Sequence, residues 1–229
     1  EITYLGCHSD LWSFEKKNFS TFVFKNKLQK KIPKIYKPWS KLGKIKTNLL
    51  LDTKVNSQCK IYCGLHDSSA AYYLYEKKFN KPFTLISTGT WVVIFNKQMK
   101  LDLLNEKKEI FAKINVYGKM IPVIRFMGGR EYSEIVKNCL SFIKTKSSID
   151  YLYDKKVYAM PSFADGGPFK STKGKIINKK FLRSRDDYII LASLYVALIT
   201  DYCLKQLDSN NSIIIDGVFA KNKIFLYYL

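Results

Sequence analysis

The chain has 229 residues, a formal net charge of +20, and a composition that is 47% hydrophobic and 15% aromatic. Its length suggests one or two domains, and its apolar content excludes a disordered chain. No run of about 18 to 20 apolar residues predicts a membrane-spanning helix, and the first residues lack the basic start and apolar core of a signal peptide.

The beginning of the chain contains few predicted elements before a clear strand and helix. We predict a short helix within residues 14–28 and the beginning of a second one over residues 46–51. Residues 30–44 are predicted to be irregular, because their prolines disfavour helix at the preceding positions. Residues 59–79 then predict a strand, a tight turn and a helix. The polar segment 77–82, which ends in proline, is the candidate domain boundary.

The middle of the chain predicts a run of strands. Residues 83–96 predict a hairpin whose turn is small and rich in hydroxyl groups. Residues 109–116 and 120–126 predict a second hairpin about a Tyr-Gly-Lys turn. Residues 130–142 show the apolar spacing of a helix.

The last third of the chain alternates loop, helix and strand. A glycine-rich loop at residues 164–169 precedes a long, mostly buried helix at residues 186–207 and a strand at residues 213–215. That strand ends at Gly217, and a new helix begins near residue 220. A strand followed by a glycine and then a helix is a natural binding site for an anion, because the free backbone N–H groups and the dipole of the helix favour negative charge. This order of elements describes an α/β protein.

Four segments, in this order, resemble the FGGY family of carbohydrate kinases: GLHD at residues 64–67, STGTW at residues 87–91, MP with GGPF within residues 160–169, and DGVFAKN at residues 216–222. Their order and spacing match the family across the whole chain. The GTW and FAKN forms are most similar to its rhamnulokinase and fuculokinase branch. The resemblance implies an actin-like ATPase (ribonuclease H-like) fold. Residues 1–79 would be the end of the sugar-binding first domain, and residues 80–229 most of the nucleotide-binding second domain.

The resemblance also implies a sugar site. Asp67 matches the base that takes the proton from the sugar hydroxyl as this attacks the γ-phosphoryl group of ATP. A carboxylate within hydrogen-bond reach of the acceptor can orient it and accept its proton. From this residue alone, a helix N-cap is an equal alternative. His66, His8 and Asp10 are candidate contacts to sugar hydroxyls, with a structural histidine and surface loop residues as the alternatives.

A nucleotide site is implied by two further segments. The family's phosphate-binding turn corresponds to Thr88, Gly89 and Thr90. Glycine permits close backbone approach and hydroxyls can donate to phosphate oxygens, although an ordinary hairpin turn has the same composition. Gly217 and Asn222 match the adenosine-binding segment. Val218 stands where many members have a second glycine, and its branched side chain is expected to narrow the approach of the nucleotide.

The function implied is ATP-dependent phosphorylation of a sugar hydroxyl, the sugar being a ketose or deoxy-ketose such as rhamnulose, fuculose or xylulose. The cofactors implied are ATP and Mg²⁺, and we name no metal-ligating residue in this chain. A small sugar and ATP are the expected partners, with no membrane. A homodimer is left open. The five irregularly spaced cysteines suggest free thiols in a reducing cytoplasm.

Two other classes of function stay open. The Asp-x-Gly-Thr hairpin that begins the family does not occur in the sequence. We therefore expect the chain to correspond to the middle half of a kinase and to be inactive by itself. A truncated, non-catalytic remnant or interaction module is one alternative. A basic nucleic-acid-binding protein is the other, less favoured because the charge excess is almost all lysine, whereas arginine is preferred for bidentate recognition of phosphate.

Overall fold

The computed structural model describes residues 1–9, 11–50, 54–137, 139 and 148–229, and for His8 it describes the backbone only. The chain divides into two compact units, which are mixed α/β overall, as predicted. Unit 1 consists of Glu1–Lys78 and Ala112–Ile121, and unit 2 consists of Phe79–Phe111 and Pro122–Leu229.

The first part of the chain forms short elements. Its helices are α1 (Ile2–His8), α2 (Thr21–Lys25) and α3 (Asp67–Lys78). Its strands form two antiparallel pairs, β1 (Trp12–Ser13) with β2 (Asn18–Phe19), and β3 (Lys41–Lys44) with β4 (Lys60–Tyr62). Single 3-10 turns lie at Gln29–Lys31 and Thr47–Leu49.

The strand, turn and helix predicted over residues 59–79 are confirmed by β4 and α3. The short helix predicted within residues 14–28 is confirmed as α2. Where a second helix was predicted to begin, over residues 46–51, the structure has a single 3-10 turn, and residue 51 lies outside the described residues. The segment predicted to be irregular ends in β3, because its backbone pairs with β4, and the N–H of Gly64 extends the pairing by donating to the carbonyl of Pro38 at 2.9 Å.

A five-stranded mixed sheet follows. Its strands are β5 (Phe83–Thr88), β6 (Val92–Asn96), β7 (Ile110–Ile114), β8 (Met120–Phe126) and β11 (Ser212–Gly217). Their order is β11-β5-β6-β8-β7. β5 pairs with β11 in parallel and with β6 antiparallel, so β5 is an interior strand. β7 and β8 are also neighbours in the sheet. Both predicted hairpins, β5 with β6 and β7 with β8, are therefore confirmed.

Helices and a short ladder complete the chain. The helices are α4 (Gly128–Lys137), α5 (Ile149–Asp154), α6 (Arg185–Gln206) and α7 (Lys223–Tyr228). β9 (Tyr158–Met160) pairs antiparallel with β10 (Lys175–Ile177). A 3-10 turn at Val218–Lys221 links β11 to α7.

Helix α6 is the long buried helix that the sequence predicted. A capping box begins it: the Ser184 hydroxyl accepts from the N–H of Asp187, and the Asp187 carboxylate accepts from the N–H of Ser184. Its length and composition alone would suit a membrane span, but 67% of its most apolar window is buried. A helix in the core of a soluble protein passes the same test. Here α6 contributes fully buried side chains such as Ala192 and Val196 to the main hydrophobic cluster.

Candidate functional site

Two segments that the sequence assigned to phosphate and adenosine lie side by side at one edge of the sheet. β5 ends at Thr88 and β11 ends at Gly217, and these two residues are register partners in the parallel pair. The carboxyl ends of neighbouring parallel strands are where α/β sheets commonly bind ligands. The turn after β5 and the segment after β11 therefore form one candidate site, all of it within unit 2.

Thr88 joins these two segments. Its side chain is buried, and its Oγ1 donates a hydrogen bond to the carbonyl of Asp216 at 2.7 Å. The same oxygen accepts from the N–H of Phe219 at 3.0 Å. The single hydroxyl hydrogen is thus directed into the protein, so the phosphate contact predicted for Thr88 competes with this internal bond. The parallel pairing of β5 with β11 brings the Asp216 carbonyl within its reach.

Gly89 and Thr90 form the outward part of the turn. The N–H of Gly89 donates to the carbonyl of Trp91 at 2.9 Å, which makes the turn tight. A Cβ placed on Gly89 would meet only the Trp91 carbonyl oxygen, at 3.9 Å, so space beside this glycine is open. Thr90 is exposed. These two residues fit a phosphate group, because backbone can approach at Gly89 and a hydroxyl is available at Thr90.

Gly217 cannot be replaced by another residue without strain. Its φ is +89°, and a Cβ at this position would overlap the carbonyl oxygen of Thr88. The glycine is therefore needed for the close approach of β11 to β5. Val218, the next residue, is 66% exposed.

Asn222 has a structural role that the sequence did not indicate. Its Oδ1 caps α7 by accepting from the N–H groups of Ile224 and Phe225 at 3.1 and 3.0 Å. Its Nδ2 donates to Ser193 Oγ at 2.9 Å. The adenosine contact predicted for Asn222 therefore competes with these contacts, which hold α7 to α6.

Helix α4 supports both segments, a function that sequence reasoning missed. A Cβ on Gly129 would overlap the carbonyl oxygen of Gly89, so the helix start lies directly against the turn. The N–H of Arg130 lies 3.4 Å from the Thr90 carbonyl that it donates to. Tyr132 packs edge-on against Phe219 with ring centroids 5.6 Å apart. The sequence signal was the glycine pair Gly128 and Gly129 at the start of α4.

The glycine-rich loop contacts the same turn from another side. Gly166 has φ +94°, and a Cβ there would lie 3.2 Å from the Trp91 ring. Arg125 stacks on the Trp91 ring with its guanidinium carbon 4.8 Å from the centroid. Its Nε is 3.3 Å from Glu109 Oε2, an ion pair that holds the guanidinium in place. Trp91 is thus enclosed next to the turn.

Asp67 lies in unit 1 as the first residue of α3. Its Oδ1 accepts from the N–H of Ser68 at 2.5 Å and lies 2.9 Å from His66 Nδ1. The N-cap alternative applies more closely to His66, whose carbonyl accepts the first helical bond, from Ala70, at 2.8 Å. The Asp67 side chain is 90% exposed, so its carboxylate is accessible to a substrate.

The remaining candidate sugar contacts are less defined. His66 is 32% exposed, and its Nδ1 is 3.2 Å from Ser68 Oγ. The backbone of His8 belongs to α1, not to a loop. Its side chain, and Asp10 entirely, lie outside the described residues.

Among the residues that the structure describes, no group of three or more His, Cys, Asp or Glu side chains gathers to hold a metal ion.

Comparison with known proteins places the chain in a family. Residues 80–229 match the sequence model of the carbohydrate kinase FGGY C-terminal domain. No curated protein matches the chain. Among solved structures, a carbohydrate kinase from Novosphingobium aromaticivorans is similar with a TM-score of 0.73 and 25% identity. The match covers 99% of this chain and 51% of that one.

Two more distant structures share the fold alone. Xylulose kinase from Rhodospirillum rubrum has a TM-score of 0.62 and 11% identity, covering 99% of this chain and 48% of that one. Glycerol kinase from Plasmodium falciparum, solved with ADP, has a TM-score of 0.62 and 16% identity, covering 99% and 51%. The chain thus spans about half the length of these relatives. These likenesses confirm the predicted actin-like ATPase fold, whereas the rhamnulokinase and fuculokinase branch stays a prediction.

Proposed function

The chain belongs to the FGGY family of carbohydrate kinases, and on this premise we propose that the protein containing it transfers the γ-phosphoryl group of ATP to a hydroxyl of a small sugar. The sugar we propose is a ketose or deoxy-ketose such as rhamnulose, fuculose or xylulose. A similar structure is a xylulose kinase, and another was solved with ADP. The first supports a ketose as the substrate, and the second supports an adenine nucleotide as the phosphate donor. We propose the cytoplasm, where ATP is available, as the location.

One observation carries the proposal for the nucleotide. The turn at Gly89 and Thr90 is open and lies beside Gly217, at the carboxyl ends of two paired parallel strands. Thr88 fixes this arrangement through its two hydrogen bonds. In the proposed reaction a phosphate group of ATP occupies the open space beside Gly89, and the Thr90 hydroxyl donates to one of its oxygens. Mg²⁺ usually reaches kinase sites bound to the phosphates and to water, and we propose the same here.

Asp67 performs the proton transfer in this proposal. Its carboxylate accepts a hydrogen bond from the acceptor hydroxyl of the sugar and so orients the oxygen towards the γ-phosphorus. As the new P–O bond forms, the bond from phosphorus to the β-γ bridging oxygen breaks and ADP leaves. The hydroxyl proton passes to Asp67 late in a loose transition state. The exposure of the Asp67 side chain, 90%, leaves it available for this contact.

A substrate screen tests the proposed function. The protein containing this chain is incubated with ATP, Mg²⁺ and a panel of ketoses and polyols, and ADP release is followed. We expect one or a few ketoses to raise ADP release well above the rate of sugar-free ATP hydrolysis. No sugar-dependent release, in a protein that still binds ADP, would contradict the kinase and favour the non-catalytic module.

A further inference from the structure

Helix α4 carries one buried carboxylate, that of Glu131, which no step of the proposed reaction uses. The residue is 2% exposed. Its Oε2 accepts a hydrogen bond from the phenol of Tyr195 on α6 and another from the N–H of Phe163, at 3.0 Å. Burying a carboxylate is costly unless it is hydrogen-bonded. Both contacts reach other parts of unit 2, so Glu131 ties three segments together.

The neighbours of Glu131 on α4 contact the candidate nucleotide site. Gly129 lies against the Gly89 carbonyl, Arg130 donates to the Thr90 carbonyl, and Tyr132 packs on Phe219. A shift or rotation of α4 would therefore move both the turn after β5 and the segment after β11. Glu131 resists such a shift, because its bond to Tyr195 fixes α4 to α6, the most buried helix of the cluster.

The second hydrogen bond of Glu131, which it accepts from the Phe163 N–H, anchors the glycine-rich loop that also contacts the turn. Phe163 begins the glycine-rich loop, and its ring packs edge-on against Tyr195 at 5.5 Å between centroids. Three residues further on, Gly166 lies against Trp91, the last residue of the turn at residues 88–91. One carboxylate oxygen thus holds the helix on one side of the turn and anchors the loop on another.

We propose that Glu131 is a positioning residue, which sets the geometry of the turn at residues 88–91 through α4 and through the loop that begins at Phe163. Its importance for ATP rests on the proposed function, but its effect on the turn does not. Glutamine at position 131 would keep one carbonyl oxygen for both donors. Alanine would leave the Tyr195 hydroxyl and the Phe163 N–H without their acceptor, and a buried donor that lacks an acceptor lowers the free energy of unfolding.

Hydrogen exchange followed by mass spectrometry on the intact chain tests this proposal without any ligand. In Glu131→Ala, amides in the peptide spanning residues 88–91 and in the loop after Phe163 should exchange at least about tenfold faster than in the wild type, because local opening becomes easier. In Glu131→Gln the same amides should stay within about twofold of the wild type. Glu134→Gln, one turn further along α4 at an ion pair with Lys137, is the matched control and should change neither.

A second variant covers the case in which Glu131→Ala does not fold. Tyr195→Phe removes one of the two donors and leaves the Phe163 contact, so exchange should rise in the turn by an intermediate amount. Unchanged exchange in the turn in these variants would overturn the proposal. So would a uniform increase over all of unit 2, since that would show general destabilisation and no specific positioning.

ATP affinity provides the link to function. Isothermal titration of the protein containing this chain with MgATP should give a dissociation constant at least about tenfold weaker for Glu131→Ala, with Glu131→Gln close to the wild type, because small misplacements at a binding site are costly. If the wild type binds no ATP while Glu131→Ala still loosens the turn, the positioning role stands and the proposed function fails. If the wild type binds ATP and Glu131→Ala changes neither affinity nor turn exchange, the positioning role is wrong.

Discussion

The Thr88 hydroxyl makes two hydrogen bonds inside unit 2, to the Asp216 carbonyl and from the Phe219 N–H. Thr88→Val keeps the shape of the side chain but leaves both groups without a partner. We expect it to lower the free energy of unfolding by about 2–4 kcal/mol. Thr88→Ser keeps the hydroxyl and loses one methyl group, so the expected loss is about 1 kcal/mol. Urea unfolding measures both, and equal losses would show that the hydroxyl contributes little.

Two glycines of the site should respond differently to alanine. At Gly217 the positive φ and the overlap with the Thr88 carbonyl predict a loss of at least about 2–3 kcal/mol of unfolding free energy. At Gly89 a Cβ meets one atom at 3.9 Å, so Gly89→Ala should leave stability nearly unchanged. It should nevertheless raise the dissociation constant for ATP, because the added methyl group occupies the space proposed for phosphate. Tight ATP binding by Gly89→Ala would place the phosphate elsewhere.

Glu131 makes the stability of unit 2 depend on pH. Burial raises its pKa above the ordinary value of 4.5, although the hydrogen bonds from Tyr195 and Phe163 oppose this shift. The folded state thus binds the proton more tightly than the unfolded state. The contribution of Glu131 to the free energy of unfolding is fully present below pH 4.5 and is lost as the pH rises through the raised folded-state pKa. Relative to Glu131→Gln, the wild type should lose unfolding free energy as the pH rises above 4.5, and a relative gain would contradict the burial effect.

At the scale of elements, α7 depends on its N-cap. Asn222→Ala removes the acceptor for two backbone N–H groups and the bond to Ser193, and we expect a loss of about 1–2 kcal/mol. Asn222→Asp keeps the cap oxygen and loses only the Nδ2 donor, so it should be the milder change. Thermal unfolding monitored by circular dichroism compares the two. If aspartate is as costly as alanine, the bond to Ser193 and not the cap holds α7.

Elements with strong local patterns were predictable from sequence. The long apolar helix α6 and the strands β5, β6 and β11 have periodicity or boundaries that local sequence determines. The strand β3 was missed because it exists through pairing with β4, which residue order does not show. Where a second helix was predicted to begin, Thr47–Leu49 form a 3-10 turn, since short helices gain most of their stability from tertiary packing.

At the scale of the molecule, the sequence motifs predicted which segments meet at the nucleotide site but not how each side chain is used. Thr88 and Asn222 were expected to contact the nucleotide, and the structure engages both in internal hydrogen bonds. Motif spacing cannot reveal such contacts, because their partners are 128 and 29 residues away in the chain. The support from α4 was missed for the same reason, since Glu131 meets Tyr195 only in the folded structure.

We propose that Asp67 is the base of a sugar kinase. The direct test compares the wild type with Asp67→Asn in the protein containing this chain, using the sugar identified by the screen. Asp150→Asn, in the first turn of α5, is the matched control. We expect kcat to fall by about 10²–10⁴ in Asp67→Asn and to stay unchanged in the control. Because the Asp67 side chain is 90% exposed, the unfolding free energy of the Asp67→Asn variant should stay within about 0.5 kcal/mol of the wild type. Turnover by Asp67→Asn at the wild-type rate would contradict the assignment.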